Sequence, residues 1–208
     1  ASLYDAYGEY EAALPLYQRA LGIIEAAFGT RHAEVAGILN GIAELYRAWD
    51  RRGDAIPLFE RALAIQEETL GPDDPEIAAT LNNLAIACHD SNDYPRAEAL
   101  YRRALAIMEK TANEARPEHA DVLVNLAGLL DDCGKYEGAL AAFRRALGLQ
   151  EAALGPDHPY VATTLGRMAS VLQAQGRDME AVGLVDRALA IREARLGPDH
   201  PDLARSLE

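Results

Sequence analysis

The sequence is poor in positive charge, in cysteine, in β-branched residues and in long apolar runs. Twenty basic side chains face 33 acidic ones, for a formal net charge of −13, and only two of the basic residues are lysine. A phosphate-backbone partner needs a basic face, so nucleic acid is not an expected partner. Cys88 and Cys133 are the only cysteines; two cannot build the disulfide framework of a secreted domain, and they suit a reducing compartment. Val and Thr number seven and six, too few for a sheet-rich fold. No apolar run approaches the roughly 18 residues of a membrane span, and no charged-then-apolar leader opens the chain. A cytoplasmic location without membrane contact is expected.

Alanine is abundant, with 40 residues among 208, and half of the chain is hydrophobic. Such a chain favours helices and has room for one or two domains with real cores. Internal order is strong. Arg-Ala-Leu begins at Arg19, Arg61, Arg103, Arg145 and Arg187, always 42 residues apart, and Glu25, Glu67, Glu109, Glu151 and Glu193 follow at a fixed offset. The turn Leu70-Gly71-Pro72-Asp73-Asp74-Pro75 returns as Leu154-Gly155-Pro156-Asp157-His158-Pro159 and as Leu196-Gly197-Pro198-Asp199-His200-Pro201. The chain is a tandem array, and periods of this length mark repeat architectures.

Each repeat resolves into two helices. Leu81, Leu84, Ala85 and Cys88 recur at i, i+3, i+4 and i+7, one apolar stripe of a first helix. Pro75 suits its first turn, and Asn92, Gly134 and Gly176 stand just past such stripes, where a left-handed residue closes a helix. A second helix carries Ala97, Leu100, Tyr101, Ala104, Leu105 and Met108 on its apolar side. The period places first helices at about 33–49, 75–91, 117–133 and 159–175, and second helices at about 9–27, 54–69, 95–111, 137–153 and 179–195. A helix pair of this kind cannot bury its stripe alone, so neighbouring pairs stack into a solenoid.

These columns, Leu81, Leu84 and Ala85 followed by Tyr94, Ala97, Tyr101 and Ala104, resemble the tetratricopeptide signature. The 42-residue period, the string Leu81-Asn82-Asn83-Leu84-Ala85 and the Gly-Pro-Asp-His-Pro turn are similar to the longer variant of kinesin light chains, which many bacterial multidomain proteins carry. The excess of arginine over lysine also points to a GC-rich bacterial genome. The resemblance covers the whole of 1–208 and implies an all-α, right-handed α-solenoid of stacked antiparallel helix pairs. It implies a protein–protein interaction scaffold that binds a peptide or protein segment in a concave groove lined by first helices. The alternative is a self-association or intramolecular regulatory segment of a larger signalling protein.

Catalytic and metal-binding constellations are missing from the pattern. Gly128 and Gly134-Lys135 have the wrong spacing for a phosphate loop, with Tyr136 where Ser or Thr belongs. His32, His158 and His200 share one repeat column with Asp74 and Arg116, so stacking separates them, and capping a helix is their expected task. His119 stands in an apolar column and reads as a buried, satisfied histidine. Consecutive His89, Asp90 and Ser91 point apart on a helix and form no triad. Neither Cys-x-x-Cys nor His-Glu-x-x-His occurs. No enzyme, cofactor or metal is expected.

Binding residues are sought on the first-helix face that points away from the stripe. It carries Asn40, Glu44 and Arg47, then Asn82, Asn83, Ile86 and His89, then Asp121, Asn125 and Asp131, and finally Arg167. Asparagine amides suit an extended backbone, having both donor and acceptor, and they equally suit bridges between neighbouring helices. The repeating Arg and Glu columns answer better to repeat-to-repeat docking than to a ligand that does not repeat. Asp5, Glu44, Asp90, Asp121, Asp131 and Asp132 outweigh Arg47 and Arg167 on this face. That departs from the acidic cargo of kinesin light chains: either the partner presents Arg or Lys, or the aspartates are a solvated face.

The ends complete the expectations. Leu3, Tyr4 and Tyr7 align with Leu45, Tyr46 and Trp49, and the chain closes early in another first helix. The array reads as an excised piece truncated at both ends, with homo-oligomers expected through the exposed ends.

Overall fold

The structure, a computed structural model, describes residues 10–111 and 117–196. Leu3, Tyr4, Asp5, Tyr7, Arg116, His200 and the 197–208 turn and helix start lie outside them. The chain divides into two compact units, Ala1–Thr111 and Ala112–Glu208. Among the described residues all regular structure is α-helical.

Unit 1 contains α1 (Tyr10–Phe28), α2 (Ala33–Ala48), α3 (Arg52–Leu70), α4 (Ile77–Asp90) and α5 (Tyr94–Thr111). Helices α2 and α4 are first helices of their repeats; α1, α3 and α5 are second helices. Each packs on the next in sequence, most extensively within the pairs α2–α3 and α4–α5, and α2 also touches α4. Unit 2 contains α6 (Pro117–Asp132), α7 (Tyr136–Leu154), α8 (Pro159–Ala174) and α9 (Asp178–Leu196), packed consecutively in the same way.

A first helix between two second helices buries more than one stripe. In α4 the expected Leu81, Leu84, Ala85 and Cys88 are buried, and so are Ile77, Ala78, Thr80 and Ala87. Alanines line the close approaches: Ala36, Ala43, Ala85, Ala97 and Ala104 are fully buried. Tyr101, Phe59 and Phe143 share one column and fill the wider gaps. Burial lifts the Cys88 thiol above its usual range, so it acts as a small apolar group. His119 is buried, as its column requires.

Caps and turns follow the repeat. His32 Nδ1 accepts the Glu34 amide at 3.3 Å, His158 Nδ1 the Tyr160 amide at 3.2 Å, and Asp74 Oδ1 the Glu76 amide at 2.9 Å. Pro75 differs from expectation. Pro75 and Glu76 form a turn ahead of α4, which begins at Ile77, although Ile77 N donates to Asp74 O just as Val35 N does to His32 O and Val161 N to His158 O. Asn92, Gly134 and Gly176 have φ of 61°, 68° and 71°, and Asp50, the first member of the column, joins them at 58°. Each closes its helix with a pair of reversed bonds, as when Lys135 N donates to Leu130 O and Gly134 N to Asp131 O.

Between repeats the second helices are clamped by the repeating charges. Arg61 meets Glu25 at 2.5 Å and Arg103 meets Glu67 at 2.6 Å in unit 1; in unit 2 Arg187 meets Glu151 at 2.5 Å. Arg103 also donates to Pro72 O at 3.0 Å and Arg187 to Pro156 O at 3.4 Å, so the same guanidinium holds the turn leading into the next first helix. A second position shows exchanged signs. Arg31 pairs with Glu68 at 2.8 Å, whereas one repeat later Asp73 pairs with Lys110 at 2.9 Å. The charges have swapped between equivalent residues and the bridge persists. These pairs are more than half exposed and each contributes under about 1 kcal/mol.

Opposite effects are expected of two alanine substitutions in unit 2. Gly134→Ala places a Cβ in the left-handed region and should lower stability by about 1 kcal/mol. Gly148→Ala lies inside α7 with open space around the new Cβ and should raise it by about 1 kcal/mol. Denaturant unfolding of both variants measures this, and shifts of the same sign would contradict the assignment of the two sites.

Candidate functional site

The first helices have one face that neither neighbouring second helix covers. In unit 1 it carries Asn40, Glu44 and Arg47 on α2, and Asn82, Asn83, Ile86 and His89 on α4, all half-buried. In unit 2 it carries exposed Asp121 with half-buried Asn125 and Asp131 on α6, and exposed Arg167 on α8. Helical spacing puts Asp121, Asn125, Gly128 and Asp132 in one row along α6, with Val124 and Asp131 in the adjoining row.

Several of these side chains already have partners. Asn40 Nδ2 donates to Thr80 Oγ1 at 2.7 Å and so bridges α2 and α4, while Asn40 Oδ1 is buried without a partner. The bridging alternative therefore holds for Asn40. Glu44 and Arg47 form an ion pair at 2.8 Å with about a third of each side chain exposed. Asn82 Nδ2 donates to Asn83 Oδ1 at 3.4 Å, a long contact. His89 meets the Tyr94 ring edge-on at 5.7 Å between centroids.

Unit 2 differs in electrostatics. Desolvation, and then the charge of Glu118, lifts the Asp121 carboxyl above its ordinary range. Desolvation, followed by repulsion from Asp132, does the same to Asp131. Both ionised carboxylates stand on a face where the neighbouring charges acting on them are also negative, and each gains from an approaching cation.

Two features of the site were not legible in the sequence. Thr80, almost fully buried, anchors Asn40; the signal was a hydroxyl in a column that also holds Thr164 but is apolar at Ile38 and Val122. Tyr17 lies over Gly41: a Cβ there would stand 2.7 Å from Tyr17 Cε1, so the ring closes that part of α2 to a ligand. Gly41 belongs to the column of Asn83, Asn125 and Arg167, and its missing side chain makes the room for the ring.

Among the described residues, no group of three or more His, Cys, Asp or Glu side chains could hold a metal ion, and no helix is long and apolar enough to cross a membrane. No curated protein matches the chain. Solved structures do. BtubC (BKLC) from P. vanneervenii is 29% identical with a TM-score of 0.84, over 96% of this chain and 79% of its own. The nearly identical repeats of a putative kinesin light chain from Podosopora anserina are 24% identical with a TM-score of 0.81, over 93% and 91%. The apo form of RapI is 19% identical with a TM-score of 0.78, over 93% and 68%. These last two show the fold alone. The tetratricopeptide repeat model matches residues 1–68, 50–110, 118–178 and 160–208. With helix pairs, caps and clamps recurring at its period, the chain belongs to the tetratricopeptide repeat family.

Proposed function

We propose that the chain is a protein-interaction scaffold whose first-helix faces bind an extended protein segment, and that the α6 face of unit 2 selects a segment carrying Arg or Lys. Tetratricopeptide repeats generally mediate protein–protein interaction, and the family gives the class of function. In unit 1 the first helices meet through a short Asn–Thr bridge, whereas the second helices are spanned by long Arg–Glu pairs. Short links on one side and long links on the other suit a first-helix side of smaller radius, the side on which a groove belongs.

The observation that carries the charge preference is the grouping of Asp121, Asp131 and Asp132 on the α6 face, where desolvation and then the acidic neighbours Glu118 and Asp132 lift the Asp121 and Asp131 carboxyls. Every neighbouring charge that acts on them is acidic, so a Lys or Arg side chain would relieve repulsion there. On α8 this face carries Arg167, and the Arg192 guanidinium reaches Gly166 beside it, against Asp121, Asp131 and Asp132 on α6. Asn125 offers an amide to the partner's backbone, and half-buried Val124 an apolar contact. In unit 1, Asn82, Asn83, Ile86 and His89 would serve the same segment type, with Glu44 and Arg47 balancing one another.

Titration calorimetry with short extended peptides of alternating Arg and Ala, against Glu and Ala controls, tests this. Binding of the Arg peptide is expected, weakening as salt rises because charges are screened over about 8–10 Å. Asp121→Lys with Asp131→Lys should weaken it at least tenfold and leave helicity unchanged. The pH dependence has a fixed sign. A bound cation favours the ionised carboxylates and pulls their raised pKa values down, so binding releases protons. Affinity should therefore fall as pH drops through the acidic range and level off near neutrality. Equal binding of both peptides, or affinity independent of salt and pH, would contradict the charge preference.

A further inference from the structure

Among the described residues, unit 1 buries two amide oxygens that have no donor. They are Asn40 Oδ1 on α2 and Gln66 Oε1 on α3. Buried acceptors of this kind are rare and costly, so a pair of them calls for a reason. The repeat columns bring both to one hydroxyl. Gln66 and Thr80 are the equivalents, two repeats earlier, of Gln150 and Thr164, and there Thr164 Oγ1 donates to Gln150 Oε1 at 2.7 Å. Asn40 and Gln66 correspond in the same way to Gly166 and Arg192, and the Arg192 guanidinium comes within 3.8 Å of where a Cβ on Gly166 would stand. The Gln66 position thus has the Asn40 position on one side and Thr80 on the other.

The two units differ in the partner that this hydroxyl has taken. In unit 2 the Asn40 column holds Val124, which has no amide, and Thr164 pairs with the glutamine. In unit 1 Asn40 Nδ2 donates to Thr80 Oγ1 at 2.7 Å, and Gln66 is left without a donor. That arrangement makes one bond and strands two acceptors. A second arrangement strands none. The half-buried Asn40 turns its amide out along the first-helix face, and the Thr80 hydroxyl points at Gln66. It requires a group outside that satisfies the amide. An extended backbone does so, since its C=O accepts from Nδ2 and its N–H donates to Oδ1.

We propose that a partner segment bound along α2 draws the Asn40 amide off Thr80, and that Thr80 Oγ1 then donates to Gln66 Oε1 as Thr164 does to Gln150. This rests on the first-helix face being the binding surface, and it gives unit 1 a contact of its own. That contact is one peptide group of the partner's main chain, taken without regard to the side chain beside it. Asn40 binds the segment. Gln66 is a positioning residue that never touches it and acts by holding the hydroxyl that Asn40 gives up. Binding relieves both stranded acceptors, so the α2 face favours main-chain contact by more than the bonds made to the partner.

Hydrogen exchange of the 208-residue chain tests this handover without a ligand. The substitutions have precedents among the repeats, since Val124 and Gly166 stand in the Asn40 column and Met108 in that of Gln66. With Asn40 in place, Gln66→Met deletes an acceptor that has no donor, and protection of the α3 and α4 amides should hold or rise. In the Asn40→Ala chain the same change deletes a Thr80–Gln66 bond, and protection should fall roughly tenfold. Equal effects in the two backgrounds would overturn the proposal. The extended Arg–Ala peptide then separates the handover from the binding face beneath it. On binding, the side-chain amide resonances of Asn40 should shift, and Gln66→Met should weaken affinity roughly tenfold. A peptide that binds but leaves those resonances in place, or binds the Gln66→Met chain equally well, would overturn the handover and leave the face standing. Failure of the unaltered chain to bind would remove the face, and the proposal with it.

Discussion

A first helix of this chain lies between two second helices, and the rest of the structure depends on that placement. Helix α4 packs on α3 before it and on α5 after it, and α8 packs on α7 and α9. Two-sided packing buries an arc much wider than one amphipathic stripe, as the eight buried residues of α4 show. What remains is a narrow face. The same requirement imposes alanine at the close approaches and an aromatic ring where the axes diverge, because interiors tolerate neither voids nor overlap. Where the start of a first helix packs on a second helix, Ile65 and Ile191 are only 5% and 4% exposed.

The charged columns act on a smaller scale than this burial but carry order that burial lacks. Apolar packing between near-identical repeats is indifferent to which repeat follows which. The Arg–Glu clamps with their bonds to Pro72 and Pro156 carbonyls fix how each turn enters the next helix. The exchange of signs between Arg31–Glu68 and Asp73–Lys110 makes those junctions distinguishable, since a repeat shifted by one period would bring Arg31 toward Lys110. Columns that repeat therefore serve the array. The residues left for recognition are those that vary from repeat to repeat along the first-helix face, and there unit 2 is acidic while Glu44 and Arg47 neutralise one another in unit 1.

Much of this was legible in the sequence because period and chemistry coincide. The register of Arg-Ala-Leu, the capping column of His32, Asp74 and His158, and the left-handed column of Asn92, Gly134 and Gly176 each express a local rule that every repeat must obey. Asp50 obeys the same rule without glycine or asparagine to advertise it. Hidden from the sequence were contacts that join different columns. The Asn40–Thr80 bridge links two helices through residues of different repeat positions, and Tyr17 over Gly41 depends on a missing side chain. Ile107, buried outside the stripe read for its helix, stands in the column of Ile65 and Ile191, which pack on the start of the first helix of their own pair. On the candidate face, helical spacing separated exposed from buried columns, but which polar groups were already engaged was a matter of three-dimensional packing.

Two-sided burial of the first helices is the central claim, and native-state hydrogen exchange resolved helix by helix tests it most directly. Opening free energy should follow the number of packed neighbours. At concentrations where the chain is monomeric, amides of α4, enclosed by α3 and α5, should exchange slowest in unit 1, and those of α8 should outlast those of α9 in unit 2. Helices α1 and α9 should exchange fastest. Uniform protection across α1 to α5, or α1 exchanging as slowly as α4, would contradict the account.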